Sequence, residues 1–268
     1  VDRWSKELRL ALRGLSRQPA TTLLSIAALG LGVGGAVAFA TAAAALWLSP
    51  LPFAQAHRLV VIGETGPNGI ATPTSMLTLA DWRDQAEVFS ALGGARSQTF
   101  LVAGGRGEPT VAAVGQVPEG FLEALGVVPR AGRRFVASEF DDGARVALVS
   151  AAFATEFFGD PARAAGGPIT LNEVPHEIVG VLPSGFEIPV DGRVPELWVP
   201  IDPATYGRSR SARALLAVGR LEAGSTVAGA TEVLEVITSR LAVEDPEAMG
   251  DRNATVATLH EALRGARR

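Results

Sequence analysis

The chain has 268 residues, a formal net charge of −4 and 47% apolar side chains, with no cysteine and a single lysine, Lys6. Missing thiols exclude cysteine nucleophiles, cysteine-ligated zinc and disulfide stapling, and Lys6 lacks the glycines of a Walker A loop, so ATP-driven work needs an ATPase on another chain. Residues 1–19 carry five basic and two acidic side chains and the rest carries 19 and 26, which leaves no basic nucleic-acid footprint.

Residues 2–17 place Trp4, Leu8, Ala11, Leu12 and Leu15 at helical i, i+3/i+4 spacing, with Lys6, Arg9, Arg13 and Arg17 on the other faces. The pattern predicts an amphipathic helix over 1–19 on the inner membrane surface, with Trp4, Lys6, Arg9, Arg13 and Arg17 available to lipid or a cytoplasmic partner. A plain basic flank that serves topology alone fits the same residues. Residues 20–49 then run without one charged side chain. As a helix they reach roughly 45 Å, against a hydrocarbon core of about 30 Å, and are expected to span a bilayer. The basic flank predicts a cytoplasmic N-terminus and residues 50–268 in the periplasm. A cleaved signal peptide shares these ingredients, but its apolar core is only about 7–15 residues.

Gly30, Gly32 and Gly35 spell G-x-G-x-x-G, yet no strand precedes them, so a dinucleotide site is rejected. Gly30 and Gly34 also spell G-x-x-x-G, which lets a second membrane helix approach closely.

Beyond the span, 58–63 reads as a strand and Thr74 or Ser75 as the cap of a helix through 91, with Leu79, Trp82 and Phe89 facing a core. Asp81 and Asp84 on that helix read as solvated carboxylates. Strands are expected at 98–103 and 110–117, and a short helix at 118–125 closed by Gly126. Glu139, Asp141 and Asp142 lack the alternating oxygen ligands of a calcium loop. Next come a strand at 145–149, a helix at 151–158 capped by Ser150, a hairpin of 169–171 and 174–181 about Asn172-Glu173, and a strand at 196–201. The last section reads as β-α-β: strand 214–221, a helix with Val227, Ala230, Leu234, Ile237 and Leu241 on one stripe, and strand 254–259. Its two strands are expected parallel in one sheet. No catalytic constellation is spelled out: His57, His176 and His260 are far apart without zinc spacing, no serine sits in G-x-S-x-G, and His260-Glu261 reads as a polar strand end.

Several blocks in a fixed order carry a resemblance. They are LRLALR at 8–13 with Gln18-Pro19, SPLPF at 49–53, HRLV at 57–60, DWRDQ at 81–85 with Val88-Phe89, GFL at 120–122 with LGV at 125–127, FFGDP at 157–161, IVGVLP at 178–183, ELWVP at 196–200 and GRL at 219–221. Together they resemble the MacB-type branch of ABC transporter permeases in the FtsX-like superfamily, namely its first transmembrane helix and periplasmic core domain, and look closest to the large duplicated orphan permeases. The resemblance implies a mixed α-β periplasmic domain of two lobes, one with porter-like β-α-β units and one smaller and strand-rich. It also implies a dimeric permease subunit, a separate cytoplasmic ATPase that binds the ATP, possible contact with a periplasmic adaptor, and mechanotransmission without catalysis. Family members carry later helices where this sequence stops, so a fragment or degenerate copy is expected. The alternative from another class is a single-pass sensor or ligand-binding ectodomain, which needs a concave pocket with convergent polar groups.

Overall fold

Thirty consecutive uncharged residues form one helix, α1 (Pro19–Leu48). The computed structural model of the protein describes residues 19–48, 53–66, 71–105, 108–141, 143–201 and 209–265. Residues 1–50 and 51–268 are two separate units. In α1, Leu23, Leu24, Leu29, Leu31, Val33 and Phe39 are all exposed, and their positions go round the helix instead of forming one stripe. Among the described residues no helix is long and apolar enough to cross a membrane. Trp4, Lys6, Arg9, Arg13 and Arg17, with the expected amphipathic helix, lie outside the described residues.

The second unit is built on eleven strands: β1 (Leu59–Thr65), β2 (Ala71–Thr72), β3 (Phe89–Gly104), β4 (Thr110–Val117), β5 (Ala131–Gly132), β6 (Val146–Val149), β7 (Pro168–Leu171), β8 (Val174–Val181), β9 (Leu197–Pro200), β10 (Leu216–Leu221) and β11 (Asn253–Thr258). Its helices are α2 (Met76–Gln85), α3 (Phe121–Leu125), α4 (Ala137–Asp141), α5 (Ala151–Phe158), α6 (Val227–Glu244), α7 (Pro246–Met249) and α8 (Leu259–Gly265). The first lobe orders its strands β11-β1-β10-β3, every neighbouring pair antiparallel. β10 and β11 are therefore parallel to each other with β1 between them, and β1 and β3 parallel with β10 between. This is the split β-α-β arrangement of ferredoxin-like lobes. The expected terminal β-α-β unit is present, with a strand inserted in its middle.

The second lobe grows out of the first through β3, whose 16 residues serve both. Its first half pairs with β10, and from Arg96 onward it pairs with β4 and then β7. The ladder continues β4-β9-β6-β8-β7 and returns to β3, closing a six-stranded ring. Val102, Val114, Val149, Ile169, Ile178 and Leu197, one from each ring strand, share a buried cluster with Phe153 and Phe157 of α5. Closure satisfies the backbone of short strands that would otherwise expose edges. With β2 beside β1 and β5 beside β8, the described strands number five in the first lobe and seven in the second, β3 counted in both, so the strand-rich lobe is not the smaller by strand count, which corrects the expectation.

Local rules explain most elements. Ser75, Ser150 and Thr226 accept hydrogen bonds from the third residue on, capping α2, α5 and α6. Ala230, Leu234, Ile237 and Leu241 are buried under α6 beside Leu79 and Trp82 of α2. Two expectations are corrected. α2 ends at Gln85 instead of 91, and β3 begins at Phe89 instead of 98, because Gly93 and Gly94 make a strand look like a turn. Gly93 is there for space: a Cβ added to it sits 2.1 Å from the Phe121 amide nitrogen. His260 and Glu261 begin α8 and do not end a strand. Thr258 and Glu261 form a reciprocal capping box, the Glu261 amide donating to Thr258 Oγ1 at 3.2 Å and the Thr258 amide to Glu261 Oε2 at 3.1 Å.

Gly93→Ala is expected to destabilise the second unit by about 3 kcal/mol, because backbone and not a flexible side chain must yield. Gly229→Ala, a helix position where the new Cβ makes ordinary contact at 3.4 Å, is expected to stabilise it by about 0.5–1 kcal/mol. Urea unfolding followed by fluorescence of buried Trp82 and Trp198 measures both.

Candidate functional site

The described chain of the second unit begins at Phe53 and its last described element is α8, and both ends meet on one face of the first lobe's sheet. Phe53, Leu59, Val218 and Leu259 belong to one buried cluster, with Ala56 and Leu263 packed against it. The opposite face carries Val60, Ile62 and Ala217 under α2 and α6. Strand alternation explains the division: Leu59 and Val60 point to opposite faces.

Two arginines hold the lead-in segment. Arg220 of β10 donates from Nη1 to the Ala54 carbonyl and from Nε to the Ala124 carbonyl, both at 2.8 Å. One guanidinium thus ties the lead-in segment, the central sheet and the end of α3 together. Burial, and secondarily the nearby Arg58, lowers the Arg220 pKa from its ordinary value. Gly126 closes α3 in the left-handed conformation with φ 66°, and a Cβ there would lie 3.0 Å from Arg220 Nη2. Arg58 donates from Nε to the Leu221 carbonyl at 2.7 Å and from Nη1 to Gln55 Oε1 at 2.6 Å.

From Phe53 an aromatic series runs into the second lobe. Phe53 meets Phe186 edge-on with centroids 6.0 Å apart, Phe186 lies 5.6 Å from Trp198 of β9, and Trp198 stacks on Phe121 at 5.4 Å. Each such contact contributes about 0.5–1.5 kcal/mol beyond area burial. Side chains from the lead-in segment, both lobes and α3 therefore form one packed unit.

The described residues that re-enter the first lobe, from Ser209 on, are tied to it by ion pairs. Arg213 pairs with Glu64 at 2.5 Å, Glu64 being fully buried and also accepting from Thr74 Oγ1 at 2.7 Å. Arg213 also donates to the Ala248 carbonyl, and Arg210 pairs with Asp81 at 2.7 Å. Asp81 is thus a structural ion-pair partner, while Asp84 lies beside Arg83 at 3.5 Å. Removing one partner of a buried pair strands the other charge, so these pairs hold residues 210–213 to the first lobe.

His57 lies in the turn at Ala56–Arg58, His176 has its Nδ1 2.9 Å from the Val174 carbonyl, and His260 is on α8. Burial lowers the His176 pKa. Among the described residues no three metal-ligating side chains converge. A cleft of about 500 Å³ is lined by Arg130, Ser184, Phe186, Glu187 and Glu196 among others. Burial, with Glu156 adding to it, raises the Glu196 carboxyl pKa. Glu139 makes a two-pronged pair with Arg133 at 2.7 and 2.9 Å, which holds its carboxyl below the ordinary range. Gly30 and Gly34, the sequence-level candidates, sit in α1, where an added Cβ meets nothing within 4 Å. Sequence reasoning gave Arg58, Arg220 and Phe186 no role of their own, although the two arginines stand in the HRLV and GRL blocks and Arg220 is the one charge inside the apolar strand 214–221.

The sequence model of the MacB-like periplasmic core domain family matches residues 22–237. Three solved structures share the fold. The extracellular domain of the noncanonic ABC-type transporter YknZ from Gram-positive bacteria has TM-score 0.54 and 13% identity over 74% of this chain and 99% of that one. The periplasmic region of MacB from Actinobacillus actinomycetemcomitans has TM-score 0.56 and 13% identity over 78% and 91%. A domain of a putative permease protein from Porphyromonas gingivalis has TM-score 0.57 and 15% identity over 77% and 93%. No curated protein matches the sequence.

Arg220→Met is expected to cost about 2–3 kcal/mol by leaving two carbonyls without their charged donor, as measured by urea unfolding. For Glu139 the lowered pKa means the native state binds fewer protons than the unfolded state. Its stabilisation is full above the ordinary carboxylate range and is lost as pH falls through the lowered value. Glu139→Gln should therefore reduce stability at neutral pH and shrink the further loss on going to about pH 3, the half-exposed Arg133 keeping the effect modest.

Proposed function

The chain belongs to the MacB-like periplasmic core domain family, and from that premise we propose that it is the N-terminal part of an ABC transporter permease subunit that carries cytoplasmic ATPase-driven motion to its periplasmic domain. The family's components are membrane-associated transporter parts that work with an ATPase. In the proposed arrangement residues 20–49 cross the bacterial inner membrane with the N-terminus cytoplasmic. Trp4, Lys6, Arg9, Arg13 and Arg17 face lipid and a separate ATPase subunit, and Gly30 and Gly34 admit the helix of a second copy. The run of residues 20–49 without a charged side chain supports the span.

The observation that carries the mechanical part is the Arg220 bridge, with the aromatic series beside it. A lead-in segment held to β10, α3 and β9 by hydrogen bonds and ring contacts moves these elements with it. The chain delivers displacement and needs no bond-making group, and ATP is bound by the separate ATPase subunit.

The cysteine-free sequence allows a direct test of topology. In intact cells a membrane-impermeant maleimide is expected to label Ser211→Cys, and Ser5→Cys only after permeabilisation. Labelling in the reverse order, or release of the chain by alkaline carbonate, defeats the reading. An ABC-type ATPase is expected to co-purify in detergent and to be lost from the Arg9→Glu/Arg13→Glu variant.

A further inference from the structure

In the second lobe β6 runs parallel to β8, and the two stop level with each other, Val149 opposite Val181. The cleft of about 500 Å³ opens beyond these carboxyl ends, lined after β6 by Ser150, Ala151 and Ala152 and after β8 by Pro183 to Glu187. Open α/β sheets hold their ligands at this position, where loops leave parallel strands and diverge. The volume is that of a small-molecule site.

The outer neighbours of the parallel pair supply opposite charges. The strand order is β5-β8-β6-β9. Arg130 precedes β5, its amide donating to the Val181 carbonyl at 2.8 Å, and Glu196 precedes β9, its carbonyl accepting from the Ser150 amide at 2.7 Å. Three interstrand spacings therefore root the two residues roughly 14 Å apart, on opposite walls. Both side chains line the cleft, where Glu187 adds a second carboxylate. Arg130 reaches the Ser184 hydroxyl, Nη1 to Oγ 3.4 Å. Among the described residues neither Arg130 nor Glu196 forms an ion pair. Phe186 lines the same cleft and is the ring that meets Phe53, which sets the site beside the lead-in clamp.

We propose that this cleft binds a short zwitterionic peptide end to end, with its carboxylate on Arg130 and its ammonium on Glu196. The fold holds the two charges too far apart to satisfy each other, and a ligand with opposite charges at its two ends satisfies both through charge-assisted hydrogen bonds. An extended chain covers about 3.3 Å per residue, so three residues cover about 10 Å and inward-reaching side chains close the rest. Ser150 Oγ takes the Phe153 amide, which leaves the Ala151 and Ala152 amides at the start of α5 for the peptide's carbonyls. Burial and the like charge of Glu156 hold the Glu196 carboxyl above its ordinary range, a cost that an ammonium placed there offsets. This site adds ligand recognition to the domain and does not rest on the permease reading.

The test is isothermal titration of the full chain in detergent with trialanine, N-acetyl-trialanine and trialanine amide. The unmodified chain is expected to bind trialanine and to lose at least about tenfold in affinity for either blocked form, the size of one lost hydrogen bond to a charged group. Glu196→Gln should weaken trialanine binding by a similar factor and no longer distinguish it from the acetylated form. Arg130→Met should no longer distinguish it from the amide. Both side chains are exposed, and urea unfolding midpoints check that the variants fold. Equal affinity of the unmodified chain for all three peptides overturns the proposal. So does the absence of binding heat with trialanine at about 10 mM, where even a Kd of about 1 mM fills the site. None of these titrations needs a bilayer or an ATPase, so their failure and that of the maleimide topology experiment are distinguishable.

Discussion

Everything in the extracytoplasmic unit depends on one strand being continuous through two lobes. β3 lends its first half to a four-stranded antiparallel sheet and its second half to a closed ring. A strand bonded on both stretches cannot swivel at its midpoint without breaking ladder bonds, so the lobes are joined by backbone and not by a loose linker. Where the chain re-enters the first lobe, Arg213 pairs with buried Glu64 and Arg210 with Asp81.

Stiffness matters only if the body is gripped where the chain comes in. Ala54, six residues beyond the end of α1 in sequence, hands its carbonyl to Arg220, which also holds the end of α3. Phe53 sends the same connection into the second lobe through Phe186 and Trp198. A pull on the lead-in segment is thereby shared among packed elements instead of extending a loop. Such sharing of load is what the proposed transmission role requires. The cleft beside Phe186 is the feature a ligand-binding reading would start from, and its Arg130 and Glu196 make no ion pair with each other.

The ring and the sheet solve the same problem in different ways. Short strands in the second lobe close on themselves and leave no long edge. In the first lobe β11 ends the strand order, and no described strand pairs with its outer side.

How far the sequence could be read varied with the range of the force responsible. The caps at Ser75 and Ser150, the hairpin turn at Asn172-Glu173 with φ 46° and 67°, and the stripe under α6 rest on neighbours within a few residues, and all were legible. The ordered blocks that resemble MacB-type permeases were equally legible. The capping box of Thr258 and Glu261 was legible in principle and was overlooked. By itself, then, the sequence determined the uncharged 30-residue helix, the boundaries of most strands and the absence of thiol chemistry. Only the tertiary structure decided that Gly93 lies in a strand, that six strands close into a ring, and that Arg220 reaches Ala54 across 166 positions. Each of these is a contact between distant segments, and pairing of that kind leaves no periodic trace along the chain.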